Sequence, residues 1–310
     1  MAFAPAAITN FFSISYSPEN SHRSAPAGAT GGGYVLSKGV VTEARILNSG
    51  RKGKVTTVVN GDPAYEARTT RRAVALLVER HGVEFGTLRL SQQVDVPIGF
   101  GFGASAASAL SAVYAVASAA GLKASKADVA RCAYDAEVIE QTGLGTVSVT
   151  YDGAGAGAIT VPGEPGVAQF VNVKVPESIR MVTASLGPYV KRDLLSSTET
   201  TRRIVELGDE ALRRFLADQT LEGLAGLGEW FTYRLGLDTV QVRRLANAAK
   251  GAGALYASQN MMGHAVHAVV EEERVDAVVD ALRSSLLAPR VDVFIVGSVK
   301  AGVVGLPRTS

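Results

Sequence analysis

Cysteine, aromatic side chains and an excess of charge of either sign are all scarce in this 310-residue chain. The lone cysteine, Cys132, excludes an internal disulfide framework and a thiolate zinc site, and points to a reducing, cytoplasmic setting. A formal net charge of +2 provides no basic field for nucleic acid and no attraction to an anionic membrane, so neither is expected as a partner. Residues 1–16 lack the positive n-region and the clean apolar core of a signal peptide. The stretch from Val96 to Leu122 carries no charge and exceeds the roughly 20 residues that cross a bilayer. It opens, however, with Pro97 and three alternating glycines, whose backbone groups lipid cannot satisfy. A loop leading into a buried helix is expected there, not a membrane span.

What the chain does have is 47% hydrophobic content, enough for a packed core, and 33 glycines without a three-residue period. At about 150 residues per domain its length suits one large or two modest domains. Strand patterns fall at Ala2–Tyr16, Tyr34–Leu47 and Val55–Val59, the last two read as a pair, with Asn60-Gly61 as a turn signal. Residues 18–33 read as a loop. A helix begins after Pro63 and stops at Gly82, and Val83–Val96 alternates as a half-buried strand. The helix Ala104–Ala120 follows, closed by Gly121, and then Ser125-Lys-Ala-Asp128 as the capping signature of another. Thr146–Tyr151 and Ala156–Pro162 read as strands, and the glycine- and proline-bearing 162–166 as the divide of the chain. Beyond it come the strand Arg180–Ser185, amphipathic helices between Ser196 and Ala249, and strands at Ala254–Ser258 and Ala265–Val270. The helix Glu271–Leu287 and the strand Val291–Val296 end the pattern. Strands and helices partly segregated in this way indicate an α+β fold. His264 and His267, three apart in a strand, would point to opposite faces and form no metal pair.

The segment Pro97-Ile-Gly-Phe-Gly-Phe-Gly-Ala-Ser-Ala-Ala107 carries the strongest chemical signal. Gly99, Gly101 and Gly103 permit backbone conformations closed to other residues and allow a ligand to approach closely. The helix that follows adds unpaired N–H groups and a positive dipole end, together a phosphate site. Ser105 can offer its hydroxyl to a phosphate oxygen or to a phosphate-bound magnesium ion, and Ala104 and Ala106 keep bulk away. A P-loop is excluded, because no lysine follows these glycines. A dinucleotide fingerprint fits Gly101 to Ala106 loosely but lacks its acidic residue in a following strand. A glycine turn into a buried helix without ligand stays open on the residues alone.

PIGFGFGASAA resembles the second motif of the GHMP kinases, usually written PxGxGLGSSAA, which wraps the phosphates of ATP. Ala4-Pro-Ala-Ala-Ile-Thr-Asn-Phe-Phe12, Ala27-Gly-Ala-Thr-Gly-Gly-Gly33 and Lys38-Gly-Val-Val-Thr42 follow in the order of the archaeal pantoate kinases within that family. Ala136-Glu137, Thr142-Gly-Leu-Gly145, Leu186-Gly-Pro188 and the glycine-poor Gln259-Asn-Met-Met-Gly263 continue it. The resemblance implies a two-domain fold, with a ribosomal-protein-S5-like ATP-binding domain over 1–163 and a ferredoxin-like domain over 164–310. ATP would lie between them, cradled by Pro97, Gly99, Gly101, Gly103, Ala104, Ser105 and Ala106, with Mg²⁺ held by Ser105 and Glu137. The acceptor, pantoate or a related hydroxy acid, would meet Gly28, Ala29, Thr30, Gly31 and Lys191, on the route to coenzyme A. A homodimer is compatible with this reading.

The chain departs from the pattern at several positions. Thr146 stands where the family carries the aspartate taken to act on the acceptor hydroxyl, and Ala29-Thr30 replaces Ser-Arg. Gly153–Val161 lacks an expected arginine, and Tyr189-Val190 replaces a polar pair. Asp152 could stand in for the missing carboxylate only if the chain geometry returns it to the site. A kinase for a different alcohol, or a protein that binds nucleotide or coenzyme A and regulates instead of transferring phosphate, therefore stays open beside pantoate kinase.

Overall fold

Ten of the fourteen residues of the first strand, β1 (Ala2–Ser15), are buried, because helices from both halves of the chain pack against it. The computed structural model describes residues 1–15, 28–48, 50, 53–187, 198–236, 238–261, 263–287 and 289–304. β1 runs antiparallel to β2 (Gly28–Asn48), a 21-residue strand. The second half of β2 pairs with β4 (Thr87–Val94) and its first half with β5 (Ala156–Val161). β3 (Lys54–Val59), β6 (Gln169–Val173) and β11 (Gly302–Val303) complete a seven-stranded sheet.

Three local expectations are corrected here. Residues 28–33 are strand, not loop, because the glycines let β1 and β2 approach closely. β3 pairs in parallel with β4 instead of with β2, through the crossover helix α1 (Arg68–His81). Residues Thr146 to Asp152 form not a strand but a short helix. The β-branched run there is overridden by its surroundings: Gly153 ends the turn in the left-handed region, and Ser148 Oγ donates to the Gly163 carbonyl at 2.8 Å. The 163/164 divide expected from composition falls inside the β5–β6 hairpin of the first sheet.

Between these strands lie α2 (Ala104–Ala119), α3 (Lys126–Ile139) and α4 (Thr146–Asp152). α2 is buried on nearly all sides, which its alanine and serine content permits without crowding α1, α3 or the sheet. α3 starts as its sequence indicates, with the Asp128 N–H donating to Ser125 Oγ at 3.1 Å. Ser125→Ala is expected to cost about 1 kcal/mol in a denaturant titration.

The second sheet, in the order β10-β7-β9-β8, is antiparallel throughout. It holds β7 (Ile179–Ser185), β8 (Tyr256–Gln259), β9 (Ala265–Glu271) and β10 (Arg290–Ile295). Strand alternation divides β9. Val266, Ala268 and Val270 pack with α7 (Val240–Gly251) and α8 (Val275–Arg283), while Val269 joins the core of the first sheet. α5 (Thr198–Ala217) and α6 (Leu221–Leu235) pack on β1, and α6 also reaches β8, so the two sheets share a helical seam. Among the described residues no helix is long and apolar enough to cross a membrane.

Candidate functional site

The glycine segment folds as three left-handed turns in succession, at Gly99 (φ 90°), Gly101 (φ 79°) and Gly103 (φ 62°). Gly103 is the residue that caps α2, and it brings no side chain to accept from the first turn of that helix. The N–H groups there, with the dipole behind them, open on a cavity of about 1140 Å³. Gly99, Gly101, Gly103, Ala104 and Ser105 line it, as does Ser108 one turn further along α2. Pro97 and Ala106 are buried behind this wall and do not line it.

A second helix start, which no local pattern marks, faces the same space. Ala67, in the left-handed region at φ 46°, precedes α1, and Ala67, Arg68, Thr69 and Thr70 all line the cavity. No acidic residue occupies the first turn of α1, which leaves its positive end free of a competing side chain. Thr69 Oγ1 lies 3.1 Å from Thr142 Oγ1, tying α1 to the turn ahead of α4. Among the described residues Arg68 and Asp152 are the only formally charged side chains on the cavity wall. Asp152 belongs to the last turn of α4, so the helix carries it away from Thr146 along its axis.

The third wall comes from the sheet. Ala29, Thr30 and Gly31 line the cavity along β2, with Ile159 on β5 and Phe170 and Asn172 on β6. Gly28 stays outside it, against Pro162 and Tyr134. Lys191 lies outside the described residues.

Glu137 is the unusual titratable group. Its side chain is 1% exposed and sits behind the turn 142–145 instead of on the cavity wall. A side chain at Gly143 would overlap the carboxylate, so glycine is required there. The Val147 N–H, in the first turn of α4, donates to Oε2 at 3.3 Å, while among the described residues Oε1 has no hydrogen-bond partner. Burial pushes the carboxyl up to about 7, only partly offset by that N–H. A buried carboxylate oxygen without a partner is what a cation would satisfy, so this residue fits a role in holding Mg²⁺. Among the described residues no group of three or more His, Cys, Asp or Glu gathers as a metal site. The protein's share of the ligands would then be Glu137 and the Ser105 hydroxyl, with phosphate and water supplying the rest.

Thr146 opens α4 and lines the cavity beside the loop glycines; a side chain at Gly103 would press on its methyl group. His264 and His267 are separated as the alternation of β9 requires. His264 Nε2 lies 3.0 Å from Thr239 Oγ1, and His267 is buried on the other side.

Residues 68–153, from the start of α1 to the end of α4, match the model of the GHMP kinases N terminal domain. A pantoate kinase of Thermococcus kodakarensis is 30% identical over 280 residues, covering 89% of each chain. Among solved structures, a phosphotransferase related to the CoA biosynthesis pathway superposes with a TM-score of 0.82 at 27% identity, over 97% of this chain and 96% of the other. A mevalonate kinase superposes with a TM-score of 0.69 at 12% identity, over 96% and 99%, and shows the shared fold alone. The chain belongs to the GHMP kinase family and resembles its pantoate kinases.

Proposed function

We propose that this chain is an ATP-dependent small-molecule kinase that phosphorylates pantoate to 4-phosphopantoate, in the cytoplasm, on a route to coenzyme A. One observation carries the reading: the glycine turns and the uncapped start of α2 open on one cavity together with the start of α1. Backbone N–H groups around Gly101, Gly103, Ala104 and Ser105 would hold the triphosphate without any lysine. The pantoate kinase relative supports the acceptor.

Phosphoryl transfer depends mainly on alignment and on neutralising charge. Bound Mg²⁺ supplies part of that neutralisation, and Ser105 and Glu137 are the residues that would hold it. The cradle fixes the phosphate chain, and Ala29, Thr30 and Gly31 would shape the acceptor end with Ile159 and Phe170, with Lys191 a further contact to the acid group. The Thr146 hydroxyl would orient the acceptor hydroxyl by a hydrogen bond. It cannot take the proton as a carboxylate would, which predicts a slow enzyme. Thr146→Asp is therefore expected to raise kcat by about ten-fold or more, read as initial rate at saturating ATP. An unchanged or lower rate would show that no carboxylate is wanted at this position.

The same substitution favours a second reading, a protein that binds nucleotide and no longer transfers phosphate. A panel of pantoate, homoserine and mevalonate with ATP and Mg²⁺ separates the two. Pantoate gaining one phosphoryl group by mass supports the proposal, and phosphorylation of another acceptor alone replaces pantoate. Nucleotide binding with no product from any acceptor would leave the second reading standing.

A further inference from the structure

A chain of buried polar side chains, which the phosphate cradle and the acceptor wall leave unused, runs from the first sheet to the glycine loop. It involves Tyr34 on β2, Asn10 on β1, Ser258 and His267 on β8 and β9, and Asn260 just after β8. All five are at most 5% exposed. Asn10 Nδ2 donates to the Tyr34 hydroxyl and to the Leu224 carbonyl of α6, each at 3.0 Å. Asn10 Oδ1 meets His267 Nε2, where Ser258 Oγ also lies at 3.1 Å. His267 Nδ1 is 2.9 Å from Asn260 Oδ1, and Asn260 Nδ2 donates to the Phe100 carbonyl at 3.2 Å. The far end of the chain is thus a peptide of the glycine loop.

The packing around that peptide leaves no slack. A side chain at Gly263 would overlap the Phe100 carbonyl, and one at Gly101 would lie 3.0 Å from both Asn260 Cβ and the Met261 carbonyl oxygen. The loop is also held from β1, where the Ala7 N–H donates to the Phe102 carbonyl at 3.1 Å. The Met261 N–H donates to the Thr9 carbonyl at 3.0 Å, so β1 grips the 260–263 turn as well. In a trans peptide the N–H points opposite to the carbonyl. With the Phe100 carbonyl held by Asn260, the Gly101 N–H is directed away from Asn260. Gly101 itself lines the cavity.

Among the described residues no carboxylate touches His267, and burial pushes its imidazole down to about 3, so the ring is neutral and donates once. Each ring nitrogen faces an amide oxygen, Asn10 Oδ1 at Nε2 and Asn260 Oδ1 at Nδ1, and the Ser258 hydroxyl also lies at Nε2, where it can donate. A positioning role for His267 requires the proton on Nδ1, with Ser258 donating to Nε2. Asn260 is then held at both ends, accepting from the ring and donating to the loop.

We propose that His267 and Asn260 are positioning residues for nucleotide binding: His267 orients the Asn260 amide, and Asn260 fixes the Phe100–Gly101 peptide so that the cradle is preformed for phosphate. The inference rests on the kinase reading and adds the device that holds its cradle in shape. Preformed donors bind an anion without having to be ordered first, so losing the device should weaken ATP binding more than it unsettles the fold.

The test is calorimetric titration of MgATP into the full chain, wild type against Asn260→Ala, His267→Phe and His267→Gln, with thermal melting of each. The Ala and Phe variants are expected to bind about ten-fold more weakly, because each leaves a buried polar group without its partner. His267→Gln retains an amide donor and is expected to recover affinity to within about three-fold of wild type. Should His267→Phe fail to fold, Asn260→Ala, which removes no ring, still decides the question. Wild-type affinity in the Ala variant, or equal losses in His267→Phe and His267→Gln, would overturn the positioning role. Failure of the wild type itself to bind MgATP would overturn the kinase reading, and this inference with it.

Discussion

Glu137→Gln is expected to abolish ADP formation and, in the metal-free protein, to raise stability at pH 8 by about 2 kcal/mol. The sign follows from burial. The carboxyl titrates near 7 in the folded chain against an ordinary value of 4.5, so folding holds the proton more tightly than the unfolded chain does. Stability is therefore full below pH 4.5, falls as pH rises from there, and levels off above about 7. That loss is worth about 3 kcal/mol. Glutamine cannot ionise and escapes it, though its amide at the place of the unpartnered Oε1 returns about 1 kcal/mol.

His267 contributes with the opposite sign. Its folded value is pushed down from 6.5 to about 3, so its contribution is full above pH 6.5 and is lost as pH falls toward 3. Both proteins carry that histidine, so the difference between their stability curves isolates Glu137. Denaturant titrations from pH 4 to pH 8 should show wild type ahead by about 1 kcal/mol at the acid end, the curves crossing as pH rises, and the variant ahead by about 2 kcal/mol at pH 8. A difference that does not vary with pH would mean that Glu137 ionises as it does in water. Saturating MgATP should then favour the wild type, because only its carboxylate can serve the cation.

Gly33→Ala is expected to destabilise the chain by about 3 kcal/mol, a larger loss than any helix-cap change here. β1 crosses β2 so closely that a side chain at Gly33 would overlap the Ile8 carbonyl, and one at Gly39 the Ala4 carbonyl. The register shifts between Pro5 and Ala7 and between Thr9 and Phe11 mark this close approach. The obstruction is backbone, which cannot swing aside as a side-chain end can. An alanine variant that melts within about one degree of wild type would contradict this packing. Ala29 and Thr30, earlier in the same strand, meet no such constraint and are the better positions at which to alter the acceptor end.

These glycines show where sequence reasoning reaches and where it stops. Residues 18–33 read as a loop from the sequence, yet Gly31, Gly32 and Gly33 line the cavity as strand residues. Their strand conformation is set by β1, which no local pattern reveals. α2, the Ser125 cap and the strands and helix around β9 were readable because glycine, serine and apolar spacing act locally. Local pattern pairs β3 with β2, because its pairing with β4 depends on a crossover through α1. The residues of α4 read as a strand because β-branched residues favour strands until tertiary contacts overrule them.

The candidate site divides in the same way. Gly99, Gly101, Gly103 and Ser105 could be picked out because a glycine turn into a helix has a chemical meaning in one dimension. The start of α1 at Ala67 bears no such mark. Glu137 could be named from family resemblance, but its burial under Gly143 and its single N–H partner emerge only when α3 and α4 are packed together. Nothing in spacing links Asn10, Asn260 and His267, which meet because β1 lies against the second sheet.

The most direct measurement is the initial rate of ADP release by the purified chain with ATP, Mg²⁺ and pantoate, compared with the same mixture lacking pantoate and with Glu137→Gln. The account predicts release that depends on pantoate, matches phosphopantoate formed one for one, and vanishes in the variant. Release that ignores pantoate, or that survives in Glu137→Gln, would contradict it.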